Sequence, residues 1–260
     1  MRRNSPIFWP ILLIVVGVIV LLINLGLLSF DLWQLVRLWP LILVVIGLDI
    51  LIEAVWRRGH VGGESLSIDR DSLSEAEVSV EFGAGKLRVS AEAGPGKLLE
   101  GEFTEDVEYQ LSDRRLRIYS RPEGWGWWGW RERKWEIRLT RDIPLKLRFQ
   151  VGACESTLDL GDLRVTEFSL ETGAADTSVR FPRQAGMTRA RVKAGAASVK
   201  ISVPEGVAAR IASTVALGSF EVDTRRFLHS GSEYVSPDYD TATNKLDLHI
   251  ESGVGSVTVA

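Results

Sequence analysis

Residues 193–203 read KAGAASVKISV, and that stretch decides the fold. Small residues come first, followed by apolar side chains at every second position. Such alternation marks a strand with one face buried and the other in water. Five further stretches share the pattern: VEFGAGKLRV (80–89), QVGACESTLDL (150–160), ETGAADTSVRF (171–181), TVALGSFEV (214–222) and ESGVGSVTV (251–259). Their leading small residues are Gly83, Gly152, Gly173, Gly195, Ala216 and Gly253. From Gly152 to Ala216 the copies are spaced 21, 22 and 21 residues apart, the mark of one structural unit repeated. The copies at Gly152 and Gly173 read as carrying two extra residues before their apolar pairs, Leu158/Leu160 and Val179/Phe181. In the others the pair comes sooner: Leu87/Val89, Val199/Ile201, Phe220/Val222 and Val257/Val259.

One such unit cannot bury its apolar face alone, whereas stacked neighbours can. Gly83, Gly152, Gly173, Gly195 and Gly253 are therefore expected as structural turn positions. Each supplies positive φ or close backbone approach at a turn or bulge. The body is predicted to be a mostly β domain of stacked strand-turn-strand repeats, solenoid-like, with an antiparallel β-sandwich as the alternative. Pro144, Pro182, Pro204 and Pro237 fall at strand starts or between strands, where a missing N–H is harmless. No long helical pattern follows residue 60.

Charge is unevenly distributed around these repeats. The 260-residue chain has 31 Lys+Arg, 34 Asp+Glu, three His and one Cys, for a net charge of −3. Residues 1–56 hold only Arg2, Arg3, Arg37, Asp31, Asp49 and Glu53, leaving 28 basic and 31 acidic residues for 57–260. An apolar head thus precedes a soluble body of about 200 residues, long enough for its own core. With no dense Lys/Arg tract the chain does not read as a nucleic-acid binder. The lone Cys154 excludes a disulfide framework and a Cys-based zinc site. His60, His229 and His249 are scattered, without metal-ligand spacing and without an obvious nucleophile to serve. No catalytic residue, cofactor or metal is expected, and the chain does not read as an enzyme.

The head is predicted to be a transmembrane helical hairpin over residues 1–58, with spans at about 7–28 and 38–56. Residues 59–65 form a linker, and 66–260 the β-repeat domain. Ile11 to Ile23 reads ILLIVVGVIVLLI within a charge-free run long enough to cross ~30 Å of hydrocarbon. A cleaved signal peptide is disfavoured, because no small-x-small site follows and a second apolar segment comes almost at once. Trp9, Trp33, Trp39 and Trp56 sit near the segment ends, as an interfacial aromatic belt requires. Arg2/Arg3 and Arg57/Arg58 flank an even number of crossings. The positive-inside bias therefore puts the N-terminus and the body in the cytoplasm, with an extracytoplasmic body as the alternative. Asp49, Glu53 and Arg57 share one helix face at i, i+4 spacing. With Asn24 they are candidate intramembrane polar contacts, satisfied by structural pairing or used in signalling.

Residues 124–135, GWGWWGWRERKW, break the rhythm of the repeats. The formal G-x-G-x-x-G here lacks a βαβ setting, and Trp fills the space a phosphate needs. Trp125, Trp127, Trp128, Trp130, Arg131, Arg133 and Trp135 instead form a candidate membrane-interface or partner loop, Trp135 opening the next strand. The competing reading has the rings folded back and stacked with Arg. GAGK at 83–86 is not a P-loop, since Leu87 replaces Ser/Thr. The acidic Pro237-Asp238-Tyr239-Asp240 reads as a turn ahead of a cation site.

GVIVLLINLGLL (17–28) followed by LWPLILVVIGLDIL (38–51) resembles the paired transmembrane segment of LiaI/LiaF-like bacterial membrane proteins. VKAGAASVKISVPEGVAARI (192–211) and SPDYDTATNKLDLHIESGVGSVTV (236–259) resemble the C-terminal domain of LiaF-type cell-wall-active antibiotic response proteins and their toast-rack-repeat relatives. The resemblance implies a non-enzymatic membrane protein of the cell-envelope stress response. LiaF-type members restrain a membrane sensor kinase of a two-component system until the wall is attacked. The implied partners are the lipid bilayer, an integral membrane protein such as a sensor kinase, and a second copy of the chain. The alternative function is a membrane-anchored, structural or adhesin-like self-associating β-solenoid.

Overall fold

Apolar alternation builds each long strand, and a break in its phase bends it. The computed structural model describes residues 64–120 and 133–260. In chain order the strands are β1 (Glu64–Asp69), β2 (Ala76–Ser90), β3 (Lys97–Phe103), β4 (Val107–Ser112), β5 (Arg115–Ser120), β6 (Lys134–Leu139) and β7 (Pro144–Asp159). There follow β8 (Arg164–Thr172), β9 (Asp176–Arg180), β10 (Met187–Ser202), β11 (Ala208–Val222), β12 (Leu228–Ser230), β13 (Glu233–Val235) and β14 (Lys245–Val259). In β7, Leu145, Leu147, Phe149 and Val151 face inward, the phase slips by one at residues 152–153, and Cys154, Ser156 and Leu158 face inward again. A strand that changes phase must turn a corner to keep both halves on one core. Each long strand is thus a rung of two arms meeting at a small-residue corner.

Rungs stack in parallel, first arm on first arm and second on second. β8 and β9 are the two arms of one rung, paired with the first and second halves of β7 and β10. β5 and β6 are likewise the arms of the rung beside β2. The stack runs β5/β6, β2, β7, β8/β9, β10, β14, β11. Antiparallel pairing, which a sandwich would use throughout, is confined among the described residues to the ends: β1 on β3, β3 on β6, β4 on β5, and β13 on both β11 and β12.

Chain order and stack order do not coincide: β14, the last rung in sequence, lies between β10 and β11. The residues in matching rows account for the exchange, since β14 carries Leu246, Leu248 and Ile250 where β11 has Ala209, Ile211 and Ser213. Leu246, Leu248, Ile250, Val257 and Val259 of β14 are at most 1% exposed, whereas Val215, Phe220 and Val222 of β11 are half-buried. The inner place goes to the strand with more apolar surface to remove from water. Nor do the copies at Gly152 and Gly173 carry extra residues: Leu87 pairs with Ser156 and Ser156 with Thr177, while Val89, Leu158 and Val179 share one row. What read as an insertion is a polar residue at an inward position.

Candidate functional site

The corner is the feature that the stack repeats on its surface. Its glycines line up across rungs, and their lack of a side chain is what lets backbones approach. A Cβ added at Gly253 would stand 2.9 Å from the carbonyl oxygen of Gly195, and one at Gly195 3.0 Å from that of Gly173. One at Gly173 would stand 3.1 Å from the Gly152 oxygen, and one at Gly152 would collide with the Gly83 oxygen. None of these five glycines has left-handed φ, so close approach, not φ, is what holds glycine at four of them; Gly83 itself faces open space. Left-handed φ falls on glycines two positions later, such as Gly255 at +135°, where a Cβ would also strike the Ala197 oxygen. The sequence reading missed Gly85, Gly218 and Gly255, although the G-x-G of GAGK and GVG was the available signal.

A groove of about 1120 Å³ follows this ladder of corners. One wall is an outward row brought into register across the rungs: Tyr119, Glu81, Gln150, Glu171, Lys193, Glu251 and Thr214. The charges along it largely answer one another. Arg117 grips Glu81 through two hydrogen bonds, at 2.7 and 2.9 Å. Lys193 Nζ stands 3.6 Å from Glu251, whose other oxygen is 3.1 Å from His249 Nε2. Tyr119 donates its hydroxyl proton to Glu108 at 2.9 Å, which pushes its pKa up. The row sets Glu81, Glu171 and Glu251 against Lys193, with Gln150 and Thr214 as uncharged hydrogen-bonding groups between and beside them.

Ser120, the last described residue before the Trp-rich segment, lines this groove. Residues 121–132 join the arms β5 and β6 of the outermost rung, where other rungs have a corner of only a few residues. At its exit Arg133 Nε lies 3.1 Å from Glu105, and the Arg133 carbonyl accepts the Lys86 N–H at 2.7 Å. Trp135 is not part of a contact loop. It is fully buried, 4.9 Å from the Phe82 ring and 5.0 Å from Phe103, and its indole N–H donates to Glu105 at 3.0 Å. The signal was present in KWEIRL, where Trp135, Ile137 and Leu139 alternate inward. Trp125, Trp127, Trp128, Trp130 and Arg131 lie outside the described residues, as do Asn24, Asp49, Glu53 and Arg57.

Among the described residues no group of three or more His, Cys, Asp and Glu side chains is placed to hold a metal. The Cys154 thiol is buried 3.0 Å from Ser156 Oγ, and burial pushes its pKa up, the opposite of an activated nucleophile. Pro237-Asp238-Tyr239-Asp240 forms a turn, closed by the Thr241 and Ala242 amides donating to the Asp238 carbonyl. Tyr239 is buried beneath the Arg210 guanidinium, 4.4 Å above its ring.

A family model for the LiaI-LiaF-like transmembrane region matches residues 7–51, and one for the N-terminal domain of toast_rack matches 57–202. The second match ends in mid-stack at the last residue of β10, and β14 and β11 continue the stack from there. No curated protein matches the chain. Among solved structures, it is similar to a provisionally assigned cell adhesion protein from Clostridium sporogenes. The TM-score is 0.67 at 20% identity, over 75% of this chain and 97% of that one. A provisionally assigned adhesin from Bacteroides fragilis aligns over 77% of this chain and 99% of its own, at 11% identity and a TM-score of 0.34. The first likeness shows a shared fold. Both matched families are non-catalytic in kind. Among the described residues no helix is long and apolar enough to cross a membrane.

Proposed function

The chain belongs to the LiaF-like family of membrane proteins with a toast-rack domain, and from that premise we propose that it regulates a membrane partner in the bacterial cell-envelope stress response. It does so through protein–protein contacts and without catalysis, and a two-component sensor kinase is the partner class the family points to. One observation carries this reading: a LiaI-LiaF-like transmembrane region at 7–51 directly precedes a toast-rack domain at 57–202. Residues 1–58 form a two-span hairpin whose helices meet the partner's helices, with Asn24, Asp49, Glu53 and Arg57 as the intramembrane polar contacts. The arginines at both flanks hold the N-terminus and the body in the cytoplasm. The loop carrying Trp125, Trp127, Trp128, Trp130 and Arg131 meets the bilayer interface or the partner.

The test is cross-linking in intact membranes followed by affinity purification of the full chain. Recovery of an integral membrane partner is expected, and its loss when Asp49 and Glu53 are replaced by Leu would assign the contact to the hairpin. Repeated recovery of no integral partner would sink the reading. C-terminal reporter fusions, one active only in the cytoplasm and one only outside, test the orientation; a signal from the outside reporter reverses it. A second reading, a membrane-anchored body that self-associates, is supported by the fold shared with a provisionally assigned cell adhesion protein. A full chain that stays monomeric in nanodiscs over a wide concentration range would exclude it.

A further inference from the structure

The ends of the stack are not finished alike. At one end the first arms close with β4 on β5, and the second arms with β3 and β1 on β6. At the other end β13 continues the first arm, pairing with residues 210–212 of β11, and β12 pairs with β13. Along the second arm, residues 217–222, no strand among the described residues pairs with the outer edge. The result is a step: one layer projects past the last rung and the other stops at it. Native edges are usually blunted by Lys, Pro or a bulge, yet this one reads LGSFEV. Leu217 is 68% exposed at the corner, and Phe220 and Val222 are half-buried, whereas Val199, Ile201, Val257 and Val259 in the same rows are at most 2% exposed. Tyr234 on β13 overhangs the step, its ring 5.7 Å from that of Phe220.

We propose that this step is a docking site for one extended strand of a partner protein, added in parallel beside residues 217–222 and alternating apolar with basic side chains. The backbone edge calls for a strand, the unfinished Phe220/Val222 row for apolar groups, and the exposed Glu221 between them for a cation. With residues 1–58 held in the bilayer, as proposed above, the chain's own remaining segments do not reach. In the second arms β11 lies eight strands from β1, ~38 Å at the usual strand spacing, and residues 59–63 of the linker, which precede β1, span at most ~17 Å. Residues 121–132 leave and return six strands away, ~29 Å, and out-and-back they reach only ~20 Å. A second copy of the body, itself two layers deep, would meet the projecting β13–β12 hairpin first. The inference rests on the proposed regulation through protein contacts and names the surface used.

A probe can be read from the stack itself. Residues 82–90, FGAGKLRVS, carry Leu87 and Val89 in the rows that end at Phe220 and Val222, and Arg88 in the row that ends at Glu221. A labelled synthetic peptide of this sequence is titrated by fluorescence anisotropy against the full chain in nanodiscs. Saturable binding is expected. It should weaken about tenfold with Glu221→Lys, an exposed position that leaves the fold intact, and vanish when alternate peptide amides are N-methylated. Absent binding, or binding indifferent to both changes, overturns the proposal. So does a full chain that self-associates and is dispersed by Glu221→Lys, since the occupant is then a second copy. If the peptide fails while a membrane partner still co-purifies, the regulatory reading stands and only this surface falls.

Discussion

Alanine at Gly152 and alanine at Gly83 should have opposite effects, although both residues open the same repeat motif. At Gly152 the new methyl would collide with the backbone carbonyl oxygen of Gly83 in the rung below. That oxygen lies on the backbone between the Phe82/Val151 and Ala84/Ala153 pairs of the β2–β7 ladder, so it cannot yield without disturbing them. Overpacking against rigid groups costs ~1–3 kcal/mol, and a backbone obstacle belongs at the top of that range, about 3 kcal/mol. At Gly83 no atom lies within 4 Å of the added Cβ and φ is not left-handed. Alanine there only restricts the unfolded chain, a gain of ~0.4–1 kcal/mol. For a body of about 200 residues 1 kcal/mol moves Tm by ~2–4 °C. Gly152→Ala should therefore melt ~6–12 °C below the parent and Gly83→Ala ~1–4 °C above it. Far-UV circular dichroism of the full chain in detergent follows the strand signal. Gly173→Ala, facing an oxygen at 3.1 Å, should fall between the two. Equal shifts for Gly152→Ala and Gly83→Ala, or a Gly152→Ala protein within 0.5 kcal/mol of the parent, would refute the close-approach account.

Thr177 Oγ1 is buried without a hydrogen-bond partner, so Thr177→Val should stabilise by ~1 kcal/mol, seen as a higher midpoint in urea. Trp135→Ala empties the space between Phe82 and Phe103 and removes the indole hydrogen bond to Glu105; a loss of ~3–5 kcal/mol is expected, and a stable variant would return Trp135 to the contact loop. The Cys154 thiol should resist iodoacetamide at pH 8 in the folded chain and react on denaturation, because burial holds it protonated. Asp223 is held below the usual carboxylate range by the hydrogen bonds it accepts from the Arg225 side chain and backbone. Its contribution to stability is thus present above pH ~4 and lost as pH falls through the depressed folded value. NMR titration should show its midpoint rising with Arg225→Ala.

The repeats were legible because alternation and small-residue corners are local signals, set by which face of one strand is buried. Rung order at the ends was not, since it depends on comparing the residues of β14 with those of β11 in matching rows across the stack. Ser156 and Thr177 misled the alignment of copies because a buried hydroxyl reads as polar in sequence and as core in space. Trp135 was drawn into the contact loop by its Trp-rich neighbours, against the alternation of its own strand. The groove wall was invisible for a different reason. Glu81, Gln150, Glu171, Lys193 and Glu251 come from five rungs, and only register places them side by side.

The exchanges of order at the two ends have a common consequence. β2 is the first rung in the chain and the second in the stack; β14 is the last in the chain and the second from the end. Both are pinned on each side, β2 by β7 and β5/β6, β14 by β10 and β11. The outermost rungs are instead chain-internal, tied at both of their own ends. β11 is held at its far end by Asp223, whose amide donates to the Val259 carbonyl at 3.0 Å, and by Arg226, which caps the Val203 carbonyl at 2.7 Å. Its open second arm is therefore a fixed template. A strand that docks there meets an edge already ordered, so only the incoming segment loses conformational freedom on binding.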